Sequence, residues 1–172
     1  MILMKFFLAL CTSFTVAAWL AIGQTAAATD SVGQQLTVKI HQMDEGLGRG
    51  DVSSYLAVAV PNLVALHDDD VFSTRQSFEQ HLSEDLNAFK ISSFNSHINN
   101  LRVYDDFAMT DVTSTFVGDM PDKKDPSVRH NYVINLKFKY EWRHIDGDWK
   151  LTRFVQLGQT GTVDGKTIRA HS

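Results

Sequence analysis

Several things are scarce in this sequence. Among 172 residues there is one cysteine, Cys11, with three prolines, ten glycines and a charged fraction of 21%. One cysteine excludes a disulfide framework. Cys11 sits in the apolar stretch Leu8-Ala9-Leu10-Cys11, where the bulky Leu10 and the short run ahead of it do not fit a lipoprotein acylation site. Few prolines and glycines with modest charge exclude a disordered or fibrous chain. Cationic residues are not in excess: Lys+Arg 16 against Asp+Glu 20 give a net charge of -4, which provides no electrostatic basis for holding nucleic acid or an anionic membrane surface. His-x-x-x-His pairs, serine-nucleophile elbows, phosphate loops and dinucleotide fingerprints are all missing, so neither a metal nor an organic cofactor is expected.

What is present begins with one apolar run. Lys5 precedes an uncharged stretch from Phe6 to Gly23, and Ala26-Ala27-Ala28 follows. This order describes a secretory signal peptide over residues 1–28, with the small side chains of Ala26 and Ala28 admitted by a signal peptidase and cleavage after Ala28. The competing reading is a retained anchor helix, for which Phe6 to Gly23 stands at the short edge of the ~17–25 residues that span a bilayer. Cleavage implies an exported chain, periplasmic or secreted, with no stable membrane span after processing. No Asn-x-Ser/Thr acceptor is found, which fits a bacterial route.

Past residue 29 the periodicity is first helical. Val32, Leu36, Ile40, Met43 and Leu47 mark one stripe of a helix from Ser31 to Leu47, stopped by Gly46, Gly48 and Gly50. Asp51 is an N-cap for a second helix, Val52 to Val60, closed by Pro61, and Leu63 to Leu66 reads as a short strand ended by His67 and Asp68 to Asp70. Ser73 and Gln76 suggest a capping box for a third helix, Thr74 to Phe89, whose stripe is Phe78, Leu82, Leu86 and Phe89.

After Lys90 the period becomes two. Strands are predicted over Asn95 to Tyr104, Phe107 to Val117, Arg129 to Arg143 and Asp148 to Leu157, with turns at Asp105-Asp106 and Asp146-Gly147. In the third of these Tyr132, Ile134, Leu136, Phe138, Tyr140 and Trp142 alternate with polar neighbours, the mark of an antiparallel sheet with one covered face. Gly158 to Ser172 reads as a polar tail. The fold class is α+β: three N-terminal helices packed on a curved, mainly antiparallel sheet, in the order α-α-β-α-β-β-β-β, one domain over residues 29–157.

This order, Gly50-Asp51 opening the second helix and the closing phrase His144-Ile145-Asp146-Gly147-Asp148-Trp149-Lys150-Leu151 together resemble the nuclear transport factor 2-like (NTF2-like) superfamily, and within it the SnoaL-like and ketosteroid-isomerase-like bacterial proteins. The resemblance implies a cone whose sheet wraps an apolar pocket, often dimerised through the sheet. It also implies a carboxylate base after the second helix, a position that falls near His67 or Asp68. The family's partner groups are not matched: the first helix has no tyrosine, and the stretch from Leu136 to Phe138 has no carboxylate. The superfamily hosts isomerases, dehydratases, hydrolases, cyclases and non-catalytic modules, so the fold does not fix the chemistry.

Candidate residues follow from these placements. His97 and Asp111 on neighbouring strands would form a carboxylate-oriented imidazole if both faced the pocket, with His67 and Asp68 as further acid–base candidates. Tyr132, Tyr140, Trp142 and Trp149 would be its aromatic wall, and Tyr55 would add a hydroxyl. Arg153 shares its alternation with Trp149 and Leu151, so it is expected on the covered side, paired with an acid such as Asp111 or with a ligand anion. The run His67 to Asp70 could offer ligands to a hard cation, but neighbouring side chains in a turn seldom converge, and it is read as solvated.

Three roles are open at this point: a binder of a small apolar molecule or dimeric accessory module, a cofactor-independent enzyme, and a structural interaction domain. Inward-facing His97 and Asp111 would favour the enzyme. Outward orientation beside Lys137 and Lys139 would favour the interaction domain, and a cavity well below ~300 Å³ would weigh against the ligand.

Overall fold

The computed structural model describes residues 30–168. The expected signal peptide, its cleavage point and Cys11 lie outside them. The chain divides into two compact units, 1–35 and 36–172. Of the first unit only 30–35 is described, and it forms the opening turns of helix α1, 30–48.

In the second unit α1 buries Leu36, Ile40, Met43 and Leu47, the predicted stripe. Gly46 lies on the same side, where an added Cβ would stand 2.5 Å from the backbone nitrogen of Tyr55, so the helix meets the next element at bare backbone. Asp51 caps that element, α2 (Val52–Tyr55), by accepting a hydrogen bond from the Ser54 amide. The predicted second helix was longer. Instead of continuing to Val60 the chain enters strand β1 (Ala59–His67) with Pro61 inside it. The pairing of β1 with its neighbour is irregular between Ala59 and Val64, and this interruption is where a residue without an N–H fits.

Asp68 and Asp69, both at positive φ, turn the chain into β2 (Asp70–Phe72). Two central residues of that conformation match the twist of the flanking strands, and this hairpin was not foreseen in a run of three aspartates. Helix α3 (Arg75–Leu86) is capped by Thr74, whose hydroxyl accepts from the Ser77 amide, in place of the expected Ser73 box.

Four long strands follow: β3 (Lys90–Tyr104), β4 (Phe107–Pro121), β5 (Arg129–Ile145) and β6 (Asp148–Val163), and then the short β7 (Lys166–Ile168). The expected loose tail is corrected here. Residues 158–163 extend β6 along β5, and the turn at Asp164-Gly165 brings β7 back onto β6, so the backbone amides and carbonyls find partners despite the polar side chains. Strand order is β2-β1-β6-β5-β4-β3, with β1 and β6 parallel and the other pairs antiparallel.

The covered face carries Phe94, Val112, Phe116, Phe138, Tyr140, Trp142, Trp149, Leu151 and Phe154, all buried. Fully burying such side chains contributes about 1.5–3 kcal/mol each. The result is an α+β fold with a curved, unclosed sheet holding a ring-filled interior.

Candidate functional site

Rings fill most of that interior. Phe154 is the hub, with ring centroids 4.9 Å from Phe78, 4.9 Å from Phe138 and 5.2 Å from Tyr140. The space left is a cavity of about 80 Å³ lined by Leu47, Tyr55, His67, Leu82, Leu86, Phe94, Phe116, Leu136, Phe138 and Phe154. That falls well short of the ~300 Å³ at which drug-sized ligands are held.

A buried acid underlies the rings. Asp44 on α1 is 7% exposed. Its Oδ2 accepts from the Ser96 amide at 2.7 Å and its Oδ1 from the Ser96 hydroxyl at 2.6 Å. Ser96 and Ser114 hydroxyls are 2.7 Å apart, and since Ser96 gives its one proton to Asp44, Ser114 is the donor between them. Burial raises the Asp44 pKa above its ordinary value, and the Ser96 hydrogen bonds oppose that rise. Tyr55 and Tyr140 are hydrogen-bonded to one another nearby, and burial holds both hydroxyls well above the usual tyrosine range, so they are neutral. Sequence reasoning missed Asp44, although its place was visible: it stands four residues after Ile40 and three before Leu47, inside the apolar stripe.

The predicted residues are distributed differently from expectation. His67 is on the covered face with a side chain 14% exposed, and it lines the cavity. Burial is the main cause that lowers its pKa, so the imidazole is neutral at pH 7. Asp68 is in the exposed turn, bonded to the Gln156 amide at 2.7 Å. Asp111 and His97 lie on the opposite face of the sheet: Asp111 is opposite Lys139 and accepts from Asn100 at 3.2 Å, while exposed His97 is opposite Thr113, whose other neighbour is Lys137. They form no dyad. Inward Val112 and outward Asp111 obey the same strict alternation, so the pleat decides this.

None of the four rings of the expected wall lines the cavity, whereas Tyr55, expected to add a hydroxyl, does. Tyr140, Trp142 and Trp149 are buried core, Trp142 donating its indole N–H to Thr110 at 3.1 Å, and Tyr132 is half-buried against Phe89. Arg153 is corrected too. A β-bulge between Leu151 and Arg153 adds one residue to β6, which turns Arg153 outward, 3.6 Å from Glu141 and away from Asp111.

A second, larger opening adjoins the interior. A groove of about 500 Å³ runs between the C-terminal ends of α1 and α3 and the start of β3, with Arg49, Ser83, Asn87, Lys90, Phe89 and Leu86 along it. Leu86 lines both groove and cavity. Among the described residues neither Arg49 nor Lys90 is in an ion pair.

No family model matches the sequence. No curated protein matches it either. Solved structures do. An NTF2-like superfamily protein from Salmonella enterica superimposes with a TM-score of 0.61 at 12% identity, over 74% of this chain and 91% of the other. A ketosteroid isomerase-like protein from Erwinia carotovora gives 0.57 at 11%, over 72% and 95%. An NTF2-like protein of unknown function in nutrient uptake from Rhodospirillum rubrum gives 0.55 at 17%, over 78% and 98%. At these identities the shared property is architecture, and it agrees with the helix order, the strand order and the curved sheet found here: the chain has the NTF2-like fold.

Proposed function

We propose that the protein binds a small amphipathic anion, such as a medium-chain carboxylate, in an exported compartment. The observation that carries this is the shared wall: Leu86 alone among the groove's residues also lines the apolar cavity, while Arg49, whose charge also acts on Asp51, and Lys90 stand along the groove. An apolar tail would lie on Leu86 and Phe89 and reach the cavity by displacing the Leu86 side chain, and the anionic head would meet the two cations. The small volume of the cavity leaves no room for a bulky ring system held wholly inside, which narrows the expectation of an apolar ligand to one that is partly solvated. Export rests on the composition of residues 1–28 and is checked by N-terminal sequencing of the native protein, which should begin at Thr29.

The test is titration of decanoate into the purified protein. Binding is expected, with Leu86→Trp abolishing it and Arg49→Ala with Lys90→Ala weakening it about tenfold, the equivalent of ~1.4 kcal/mol. No binding, or binding indifferent to all three positions, overturns the proposal.

A second reading is favoured by the outward His97 and Asp111. With Thr113, Asn135, Lys137 and Lys139 they form a polar, charged sheet face suited to a protein partner or a second copy. Size measurement in solution of His97→Glu/Lys137→Glu beside the parent protein checks it: the substitutions should dissociate a dimer that uses this face.

A further inference from the structure

Three buried side-chain polar atoms among the described residues have no hydrogen-bond partner: His67 Nδ1, His81 Nε2 and Gln156 Oε1. They are gathered in one place. The rings of His67 and His81 are 5.5 Å apart, and His67 and Gln156 occupy neighbouring positions on the covered side of the paired strands β1 and β6. Buried polar groups are satisfied in folded proteins with few exceptions, so three together mark a place where something outside the chain is received.

The chemistry of the donors says what. One ligand atom each from His67, His81 and Asp85 can be chosen so that all lie within 4.8 Å of one another. His81 Nε2 and Asp85 Oδ2 are 3.2 Å apart, yet their alignment makes no hydrogen bond. Two ligands about 2.0–2.1 Å from a tetrahedral cation stand roughly 3.3 Å apart, the spacing of this pair. His81 and Asp85 project from one side of α3 at i and i+4, and the His81 ring is stacked on Phe72 at 4.7 Å. His67 is held at the end of β1 against Phe78 at 5.7 Å. Both imidazoles are therefore held by neighbouring rings, and coordination would draw the three ligand atoms closer than the 4.8 Å within which they now lie. Asp68, whose Oδ2 is 3.7 Å from His67 Nδ1, adds a second carboxylate beside them.

We propose that His67, His81 and Asp85 form a binding site for a divalent transition cation that favours imidazole, with Zn²⁺ as the representative. Two imidazoles and one carboxylate are a ligand set for such ions, and the fourth position is left to water or to a group from solution. His67 also lines the interior cavity, so an ion here would sit at its edge.

The experiment is calorimetric titration of ZnCl2 into tag-free, chelator-treated full chain at neutral pH, with Co²⁺ absorption as a second readout. One Zn²⁺ per chain and the visible bands of tetrahedral Co²⁺ are expected. Asp85→Asn, at an exposed position that does not threaten folding, and His81→Gln should each weaken binding by ~10- to 100-fold or more. Absence of Zn²⁺ binding would mean that only water fills the site and overturns the proposal. So would a Zn²⁺ affinity unchanged in both variants, which would place the ion on another histidine.

Discussion

Replacing Phe154 by alanine tests the packing on which the small cavity depends. The ring is 1% exposed and has five aromatic neighbours: Phe78, Phe138, Tyr140, Tyr55 and His67. Loss of the buried side chain removes ~2–3 kcal/mol of transfer free energy. Residual empty space on the order of 80–100 Å³, at about 24 cal/mol per Å³, adds ~2 kcal/mol. The expected destabilisation is ~4 kcal/mol, a large part of the ~5–15 kcal/mol of an ordinary domain. At roughly 3 °C per kcal/mol for a chain of this size, the melting temperature should fall by ~12 °C. The vacated space joins the existing cavity of about 80 Å³ in an apolar setting, and cavities on the order of 150 Å³ lined by such groups stay dry and take up benzene. Thermal unfolding followed by near-ultraviolet circular dichroism, with and without saturating benzene, measures both effects. Benzene should restore several degrees to the variant and nothing to the parent protein. A melting temperature within ~3 °C of the parent, or equal response of both proteins to benzene, would refute Phe154 as the hub that closes the interior.

Two other perturbations examine the polar and the backbone contacts of α1. Gly46→Ala places a methyl group where Tyr55 N and Ser54 C stand at 2.5 and 2.8 Å, both backbone atoms that cannot rotate away, and it should cost ~1–3 kcal/mol in urea unfolding; an unchanged midpoint would show that α1 and α2 are not in close contact. Asp44 makes stability pH-dependent: its folded pKa is raised above the ordinary 3.8, so its protonated form stabilises fully below that value, and the contribution is lost as pH rises through the folded pKa. Asp44→Asn cannot ionise, so its stability relative to the parent should improve with rising pH across that window and level off above it; parallel pH profiles would exclude a raised pKa.

Much of the fold was legible because two periods are written plainly in the chain. The stripe of Leu36, Ile40, Met43 and Leu47 and the alternation from Ile134 to Trp142 are both read out by burial, and they alone predict helices on a half-covered sheet. The site was less legible, for identifiable reasons. Arg153 was misplaced because nothing in Leu151-Thr152-Arg153 announces a bulge, and a single extra residue exchanges the two faces of a strand. Asp111 and His97 were weighed as a pair on neighbouring strands, but the pleat turns both outward, and the mixed run Thr110-Asp111-Val112-Thr113-Ser114 does not announce which phase is the covered one. His81 and Asp85 carry a helical i, i+4 spacing that was visible, whereas their meeting with His67 is a tertiary event across α3 and β1. The Trp142 ring was read as a pocket wall, although an indole whose N–H is taken by Thr110 is core.

The pairing of β1 with β6 has a consequence for how the chain comes into being. A ribosome that has delivered everything through β5 has delivered a first strand whose only companion is the three-residue β2, with its other edge bare. That edge is satisfied only when Asp148 and the residues after it emerge, so the sheet is completed last from its most distant parts and folding waits for nearly the whole chain. During that wait the bare hydrogen-bonding edge of β1 is open to chaperones and to the edges of other chains.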